Sequence, residues 1–146
     1  MNMRNIWLLI FIVIVFSAIT VQAQTPAAPA VETISVEELK TKLSGGQPVM
    51  IIDVRGAESY ASATSTIKGA VHFKVRKLKS RLVYPPLKDL PKDREIVTYC
   101  SCPKDEASIA AAQILQASGF KRVRVLQGGW QEWLRANGPV EPRAKT

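Results

Sequence analysis

Two cysteines, Cys100 and Cys102, lie one residue apart in the stretch YCSCPKDEAS, and the chain has no other cysteine. A thiolate is a nucleophile and a ligand for soft metal ions, and two neighbouring thiols also form disulfides. Three kinds of chemistry are therefore open: a disulfide, a metal clip, or a nucleophile with a companion thiol. Nothing else in the sequence completes a set of metal ligands, so we expect neither a metal nor another cofactor.

The elements around the cysteines predict where they lie. EIVTY (95–99) and RVRVL (122–126) are β-branched runs of strand length, and a helical pattern over 107–119 connects them. A strand, a helix and a strand within about 30 residues form a βαβ unit with parallel strands. Cys100 then follows the carboxyl end of a parallel strand, where helix N-termini favour anions. We therefore expect its thiol to ionise readily and to be nucleophilic at neutral pH.

The remaining patterns predict a small α/β fold with a parallel sheet flanked by helices on both faces. Ser35 begins a helix over 35–43 with a capping box completed by Glu38. The apolar runs 48–54 and 67–73 are typical of buried strands, and 75–94 indicates one short helix and a loop. On the helix over 107–119 an apolar stripe is expected, made of Ile109, Ala110, Ala112, Ile114 and Leu115.

The amino terminus is typical of a secretory signal peptide. Arg4 precedes the uncharged run 6–19, and VQA at 21–23 fits cleavage before Gln24. The run is shorter than the roughly 20 residues of a membrane span. We therefore expect a periplasmic or secreted domain; the alternative is an uncleaved anchor that holds the domain on the membrane, facing the periplasm. Such a compartment is oxidising and favours a disulfide between paired cysteines.

The net charge of +8 identifies no partner by itself. The excess basic residues include two short clusters, 75–81 and 120–125, without a nucleic-acid-binding motif around them. We interpret them as solvated surface; the alternative is contact with an anionic partner, and we expect no nucleic-acid partner.

Four separated motifs, in order, resemble those of single-domain rhodaneses, a sulfurtransferase family. They are IIDVRGAESY (51–60), IKGAVHF (67–73), IVTYC (96–100) and VLQGGWQEWLRANGPV (125–140). The resemblance covers residues 33–141 and implies a three-layer α/β domain, preceded by a signal peptide (1–23) and a Pro/Ala linker (24–32) and followed by a tail (142–146). It also implies that Cys100 takes sulfur from a small donor as a persulfide and passes it to a thiol or cyanide.

The loop after Cys100 departs from the family pattern Cys-x-x-Gly-x-Arg-Ser. The active-site loop is about two residues longer, lacks the arginine and belongs to a Cys-x-Cys-Pro variant; its members are Ser101, Pro103, Lys104, Asp105, Glu106, Ala107 and Ser108. Asp105 and Glu106 either cap the following helix or face the sulfur, where they would raise its pKa and repel a dianionic donor. The donor is thus thiosulfate or another sulfane-sulfur compound.

Cys102 has two interpretations. As a resolving thiol it would attack the persulfide and close a Cys100–Cys102 bridge, which at this spacing forms a small, readily reduced ring. The other interpretation is a small buried residue. The alternatives to a sulfurtransferase are accordingly a thiol–disulfide redox module that uses both cysteines, and a rhodanese-like binding domain without turnover.

The other singled-out residues are expected to support the site. Asp53 ends a strand and can hold loop amides, and Arg55 can pair with Glu58. His72 is expected to be an ordinary half-buried side chain rather than a general base. The last group belongs to the closing helix: Gly128 and Gly129 permit a tight turn close to the cysteine loop, and Trp130 and Trp133 anchor the helix to the sheet.

Overall fold

The structure is a computed structural model that describes residues 30–143. The signal peptide, most of the linker and the last three residues of the tail lie outside the described residues, so those predictions remain predictions. Within the described part, the first strand begins at Glu32 and hydrogen bonding extends to Arg143.

The centre of the domain is a five-stranded parallel sheet, as predicted. Its strands are β1 (Glu32–Ile34), β2 (Val49–Asp53), β4 (Val71–His72), β5 (Glu95–Tyr99) and β6 (Arg122–Leu126). Their order across the sheet is β1-β6-β5-β2-β4, which puts β5 in the middle with both faces covered. All five residues of β5 are buried, as a central strand between two helical layers requires.

Helices cover both faces of the sheet. They are α1 (Val36–Ser44), α2 (Ala57–Ser62), α3 (Val75–Arg81), α4 (Glu106–Ala117) and α5 (Gly129–Arg135). Alternate strand residues divide the core: Ile51 and Val97 pack with α1 and α5, whereas Ile52 and Ile96 pack with α3 and α4. The α/β class with helices on both faces is thus confirmed.

The start of α1 follows half of the predicted capping box. The hydroxyl of Ser35 accepts a hydrogen bond from the N–H of Glu38 at 3.2 Å, as predicted. The carboxylate of Glu38 does not return to Ser35; it accepts from Arg124 of β6 at 2.8 Å. The helix ends at Gly45, and Gly46 adopts the left-handed φ of 66°.

Two local predictions need correction, and one strand was missed. The run 67–73 is not one strand, because a turn at Gly69 separates Val71–His72 from a second sheet in which β3 (Ser65–Ile67) pairs antiparallel with β7 (Val140–Pro142). On α4, Ile109 is 37% exposed whereas Ala111 is buried, so the apolar stripe is rotated from the expected one. Strand β1 was not predicted.

Within residues 30–143, no helix is both long enough and apolar enough to cross a bilayer.

Candidate active site

Cys100 lies where the sequence predicted, immediately after β5 at the carboxyl edge of the parallel sheet. Its side chain is 2% exposed and packs in the cluster formed with α3 and α4. Its sulfur is bonded to that of Cys102, with the two Cα atoms 5.7 Å apart. Of the two bonded residues, Cys102 is the more exposed, and it lines an open groove. The structure therefore shows the oxidised form of the pair, with the Cys100 sulfur on the inside.

One main-chain donor reaches the Cys100 sulfur, and a helix begins nearby. The N–H of Cys102 points at this sulfur, with an N···S distance of 3.4 Å. Helix α4 begins at Glu106, so its unpaired N-terminal amides lie at the same edge. We expect the Cys102 N–H and the start of α4 to favour the thiolate of Cys100 once the bridge is reduced.

Helix α5 holds the other side of the loop, and here the two glycines are essential. The N–H of Trp130 donates to the carbonyl oxygen of Cys100 at 2.8 Å. Gly129 has a left-handed φ of 51°, and a Cβ at this position would collide with that carbonyl oxygen. Gly128, at φ 68°, donates its N–H to the carboxylate of Asp105 at 3.2 Å. The close approach expected for this glycine pair is thus present.

Asp105 occupies the N-cap position of α4, yet its side chain makes no hydrogen bond to the helix. Of the two interpretations left open for Asp105, capping by its side chain is not observed, and its carboxylate binds the Gly128 N–H instead. Its second oxygen, Oδ1, is buried without a hydrogen-bond partner among residues 30–143. Burial raises the pKa of Asp105, and the Gly128 N–H offsets part of the rise.

The other loop residues divide by exposure. Ser101 is half-buried, and its carbonyl oxygen accepts from Gln131 at 3.3 Å. The side chain of Ser108 is buried, and its hydroxyl has no partner within the described chain. The remaining members are at least partly open to solvent: Pro103, Lys104 and Glu106 are exposed, and Ala107 is half-buried.

A buried polar network supports the strand that carries the cysteine. The guanidinium of Arg55 binds the Asp53 carboxylate at 2.7 Å, and the backbone N–H of Arg55 donates to the same group at 2.9 Å. The hydroxyl of Tyr99 also donates to Asp53, at 2.8 Å. Burial and the Asp53 charge raise the pKa of Tyr99, which therefore stays a neutral donor. Asp53 thus ties β2 to the residue before Cys100.

The predicted pairing of Arg55 with Glu58 is wrong, because the guanidinium points inward and Glu58 is exposed. The Arg55 Cζ lies 4.4 Å from the centre of the Trp130 ring, a cation–π contact between β2 and α5. Trp130 and Trp133 are both buried in the cluster shared with α1, as the anchoring role requires. His72 is half-buried, stacked on Tyr60 at 3.6 Å and bonded to the Arg55 carbonyl oxygen at 3.1 Å.

Two cavities open beside the loop, one on each side. The first, about 390 Å³, lies between the segments that follow β2 and β4 and the first turn of α4. The second, about 350 Å³, lies between the cysteine loop and α5, with Cys102 and Gln131 in its wall. Lys74 and Arg76 line the first cavity. Arg76 was interpreted from the sequence only as part of the solvated cluster 75–81, and Lys74 was not singled out, although its position directly after the predicted strand 67–73 was an available signal.

Comparisons with known proteins agree with this geometry. The family model described as Rhodanese-like domain matches residues 35–136. A sulfurtransferase of Allochromatium vinosum is 28% identical over 110 residues, which cover 75% of this chain and 94% of that protein. YrkF of Bacillus subtilis is 30% identical over 106 residues, or 73% of this chain, and the match spans only 52% of YrkF. The human single-domain sulfurtransferase TSTD1 superimposes with a TM-score of 0.59 at 28% identity, covering 73% of this chain and 97% of that one.

Proposed function

The chain belongs to the rhodanese-like domain family, and on that premise we propose that it is a sulfurtransferase that carries sulfur as a persulfide on Cys100. The donor is a small sulfane-sulfur compound, and the acceptor is a thiol or cyanide. One observation carries the proposal: the Cys100 sulfur lies after the central strand, beside the Cys102 N–H and the start of α4. Relatives named sulfurtransferase support sulfur transfer in general.

Turnover begins with reduction of the bridge. An external thiolate attacks the sulfur of Cys102, because this residue is the more exposed of the two. The Cys100–Cys102 bond breaks, a mixed disulfide forms on Cys102, and Cys100 leaves as a thiolate. A second external thiolate then releases Cys102 and is itself oxidised to the external disulfide.

Sulfur then moves in two displacements. The Cys100 thiolate attacks the outer sulfur of the donor; an S–S bond forms on Cys100, and the remainder of the donor leaves with the electron pair of the broken bond. The acceptor thiolate next attacks the outer sulfur of the persulfide and regenerates the Cys100 thiolate. The Cys102 N–H and the amides of α4 stabilise the anion in both states.

Cys102 gives the persulfide a second outcome, which the observed bridge supports. Its thiolate can attack the inner sulfur, the Sγ of Cys100, and expel the outer sulfur as hydrosulfide. The bridge forms again, two thiols are oxidised, and the sulfane sulfur is reduced. Thiol–disulfide exchange through this pair is the second candidate function, favoured by the bonded state of the two cysteines.

Intact-mass measurement tests the proposal on the reduced protein, freed of reductant and mixed with a sulfane-sulfur donor. We expect a gain of one sulfur atom that cyanide removes. The Cys100→Ser variant should gain none, a loss of about a thousandfold or more in rate. The Cys102→Ser variant should keep its sulfur longer than the wild type, because it cannot expel hydrosulfide. Equal loss in both variants would favour the redox function instead.

We also propose export of the domain, supported by the apolar run 6–19 and the VQA at 21–23. Cell fractionation with amino-terminal sequencing tests this point. A mature chain that begins at Gln24 in the periplasm or medium agrees with cleavage, whereas an intact leader in the membrane fraction agrees with the anchored alternative.

A further inference from the structure

The segment 74–88, which contains α3 and the turns after it, carries charges of one sign only. Its cations are Lys74, Arg76, Lys77, Lys79, Arg81 and Lys88, and the next acidic residue along the chain is Asp89. All six side chains are exposed, and none forms an ion pair with another residue of the described part of the chain. The sequence left this segment open between solvated surface and contact with an anionic partner; six exposed cations without ion pairs support the second.

The cations of α3 occupy the side of the helix that faces solvent. Leu78 is buried, and Val75 and Leu82 pack against the same core cluster, so positions i, i+3 and i+7 face the protein. At 3.6 residues per turn, the four cations of α3 spread over the remaining arc. Four to eight basic residues on such a helix are typical of segments that bind anionic lipids. Mobile headgroups can match a broad arc of like charge, whereas acidic side chains of a protein lie at fixed spacings.

Two apolar side chains are exposed directly after these charges. Val83 is 64% exposed and Tyr84 is 56% exposed. The Arg81 Cζ lies 5.9 Å from the centre of the Tyr84 ring, so a cation and an aromatic ring share this part of the surface. Tyrosine is enriched where a membrane meets water, because its ring is apolar and its hydroxyl is polar. Val83 and Tyr84 therefore fit the boundary between lipid headgroups and acyl chains.

The placement of the segment leaves the cysteine pair accessible. Helices α3 and α4 pack on one face of the sheet, whereas α5 packs on the other. The groove lined by Cys102 lies on the side of α5, so a bilayer that contacts α3 leaves this groove open to water. The apolar run 6–19 is separated from the first described residue by residues 20–29. Ten residues can span at most about 36 Å, more than the roughly 13 Å radius of gyration of a domain of this size, so a retained leader would let α3 reach the lipid.

We propose that the segment 74–88 binds the anionic headgroups of a phospholipid bilayer, with its cations on the phosphates and Val83 and Tyr84 at the start of the acyl chains. This binding goes beyond sulfur transfer and does not depend on it. With the leader cleaved, the segment attaches the domain to the membrane reversibly. With the leader retained, it determines which face of the domain contacts the lipid.

Co-sedimentation with lipid vesicles tests the surface on a chain that begins at Gln24. The two core clusters consist of residues between 31 and 136, all of which this chain keeps. We expect binding to phosphatidylcholine vesicles that contain about 30% phosphatidylglycerol to be at least about tenfold tighter than to phosphatidylcholine alone, and to weaken as salt is added. Equal binding to the two kinds of vesicle would overturn the proposal.

The charge requirement is tested with a matched pair of double variants. Lys77→Gln/Lys79→Gln should weaken binding to the anionic vesicles about twentyfold, because both lysines lie on the solvent side of α3. Lys68→Gln/Lys121→Gln removes the same charge from exposed positions outside the segment and should bind within a factor of about two of the wild type. Equal weakening in the two variants would show that net charge alone attracts the lipid, and the segment would lose its assignment.

The apolar requirement is tested with Val83→Ser/Tyr84→Ser, whose positions are exposed in the wild type. We expect binding to the anionic vesicles to weaken about tenfold while the dependence on salt remains, because the cations are unchanged. Unchanged binding would overturn the insertion of this pair into the bilayer.

Two competitors distinguish a lipid surface from other anionic partners. Polyglutamate represents an acidic protein, and duplex DNA represents a nucleic acid. Tighter binding of either one than of the anionic vesicles, lost in Lys77→Gln/Lys79→Gln, would assign the segment to that partner and contradict the proposal. A chain that transfers sulfur but ignores anionic vesicles would remove this inference and keep the proposed function. A chain that binds the vesicles through the segment but takes up no sulfur would do the reverse.

Discussion

The two ends of the parallel sheet differ in how their buried polar groups are paired. At the amino end, the buried carboxylate of Glu95 is paired with Lys42, Arg122 and Arg124, and Arg124 also binds Glu38. At the carboxyl end, one oxygen of Asp105 and the hydroxyl of Ser108 are buried without partners among the residues described. Gln116 Oε1, in the last turn of α4, is also buried without a partner among these residues. The carboxyl end differs in that its two unpartnered groups, Asp105 and Ser108, belong to the loop that follows Cys100.

Positive φ angles occur in several parts of the domain, including Gly46, Gly119 and Asn137. Three of them, at Asp105, Gly128 and Gly129, surround the cysteine loop. Such conformations cost about 1–3 kcal/mol for residues with side chains, so they persist only where the surrounding structure enforces them. The comparison therefore predicts that changes at the carboxyl edge alter sulfur transfer, whereas changes at the amino edge alter stability alone.

The largest effect is expected from Gly129→Ala. The added Cβ would collide with the Cys100 carbonyl oxygen and must also adopt a left-handed φ. We expect sulfur uptake to fall at least about tenfold and the free energy of unfolding to fall by about 2–3 kcal/mol. Donor-dependent kinetics and urea unfolding measure the two quantities.

Gly46→Ala is the matched control, because Gly46 has φ 66° but nothing within 4 Å of a Cβ and lies outside the active edge. Its cost should be limited to the left-handed conformation, about 1 kcal/mol, with unchanged sulfur transfer. Equal sulfur-transfer activity in the two alanine variants would show that the close contact of Gly129 with the loop does not contribute to catalysis.

An intermediate effect is expected from Glu95→Gln at the opposite edge. The Glu95 side chain is 6% exposed, and removal of its charge leaves Arg122 without a carboxylate partner among the described residues. Lys42 and Arg124 would then share Glu38 as their remaining partner. We expect a loss of about 2 kcal/mol in the free energy of unfolding at neutral pH, with sulfur transfer retained. Glu37→Gln removes an exposed ion pair with Lys40 and should cost less than about 0.5 kcal/mol. Loss of sulfur transfer in Glu95→Gln would contradict the prediction that changes at the amino edge affect stability alone.

The pH dependence of the Glu95 effect has a defined sign. Burial alone opposes ionisation of Glu95, but the hydrogen bonds and charges of Arg124 and Lys42 outweigh it and lower the pKa. A lowered pKa in the folded state means stability that is present above the ordinary value of 4.5 and lost as the pH falls through the folded pKa. The stability difference between wild type and Glu95→Gln should therefore shrink below pH 4.5. Urea titrations at several pH values would show a constant difference if the ion network contributed nothing.

The smallest effect is expected from Asp105→Asn. Burial raises the pKa of Asp105, so the folded state disfavours its anion and stability decreases as the pH rises above the ordinary pKa. Asparagine tolerates the left-handed φ of 53° and keeps an oxygen for the Gly128 N–H. We expect a small gain in stability at neutral pH that disappears in acid, and a lower pKa for the reduced Cys100 thiol. The rate of thiol alkylation as a function of pH gives the pKa of the reduced Cys100 thiol. A higher pKa in Asp105→Asn than in the wild type would contradict this prediction.

Much of the fold could be predicted because local patterns and tertiary packing agree. Strand β6 was predicted with its observed bounds, and β5 likewise, since both are β-branched runs between breakers. Strand β1 has three residues and exists only through pairing with β6, a long-range interaction that no local pattern contains. The antiparallel pair β3–β7 joins segments about 75 residues apart and was missed for the same reason.

Site residues could be predicted where their position relative to a strand fixes their location. They were harder to predict where the direction of the side chain decides its partners. Cys100 followed from its place after β5, and Gly129 from the tight turn before α5. Arg55 was assigned to the wrong carboxylate, because the pattern does not show that Asp53 turns inward and takes the guanidinium with it. Glu95 was not recognised as buried, since its three cations come from other elements.

The main chain at residue 100 is restrained from two directions. Its carbonyl is held by α5 through the Trp130 N–H, and the preceding Tyr99 is held by Asp53 of β2. We therefore expect this position to stay in place when the disulfide is reduced, so that residues 101–104 change conformation instead. On the proposed function, the disulfide keeps Cys100 unreactive, and a reductant releases its thiolate with the main chain already positioned. A change from an oxidising to a reducing environment would then convert the protein from its disulfide form to its reactive thiol form without unfolding it.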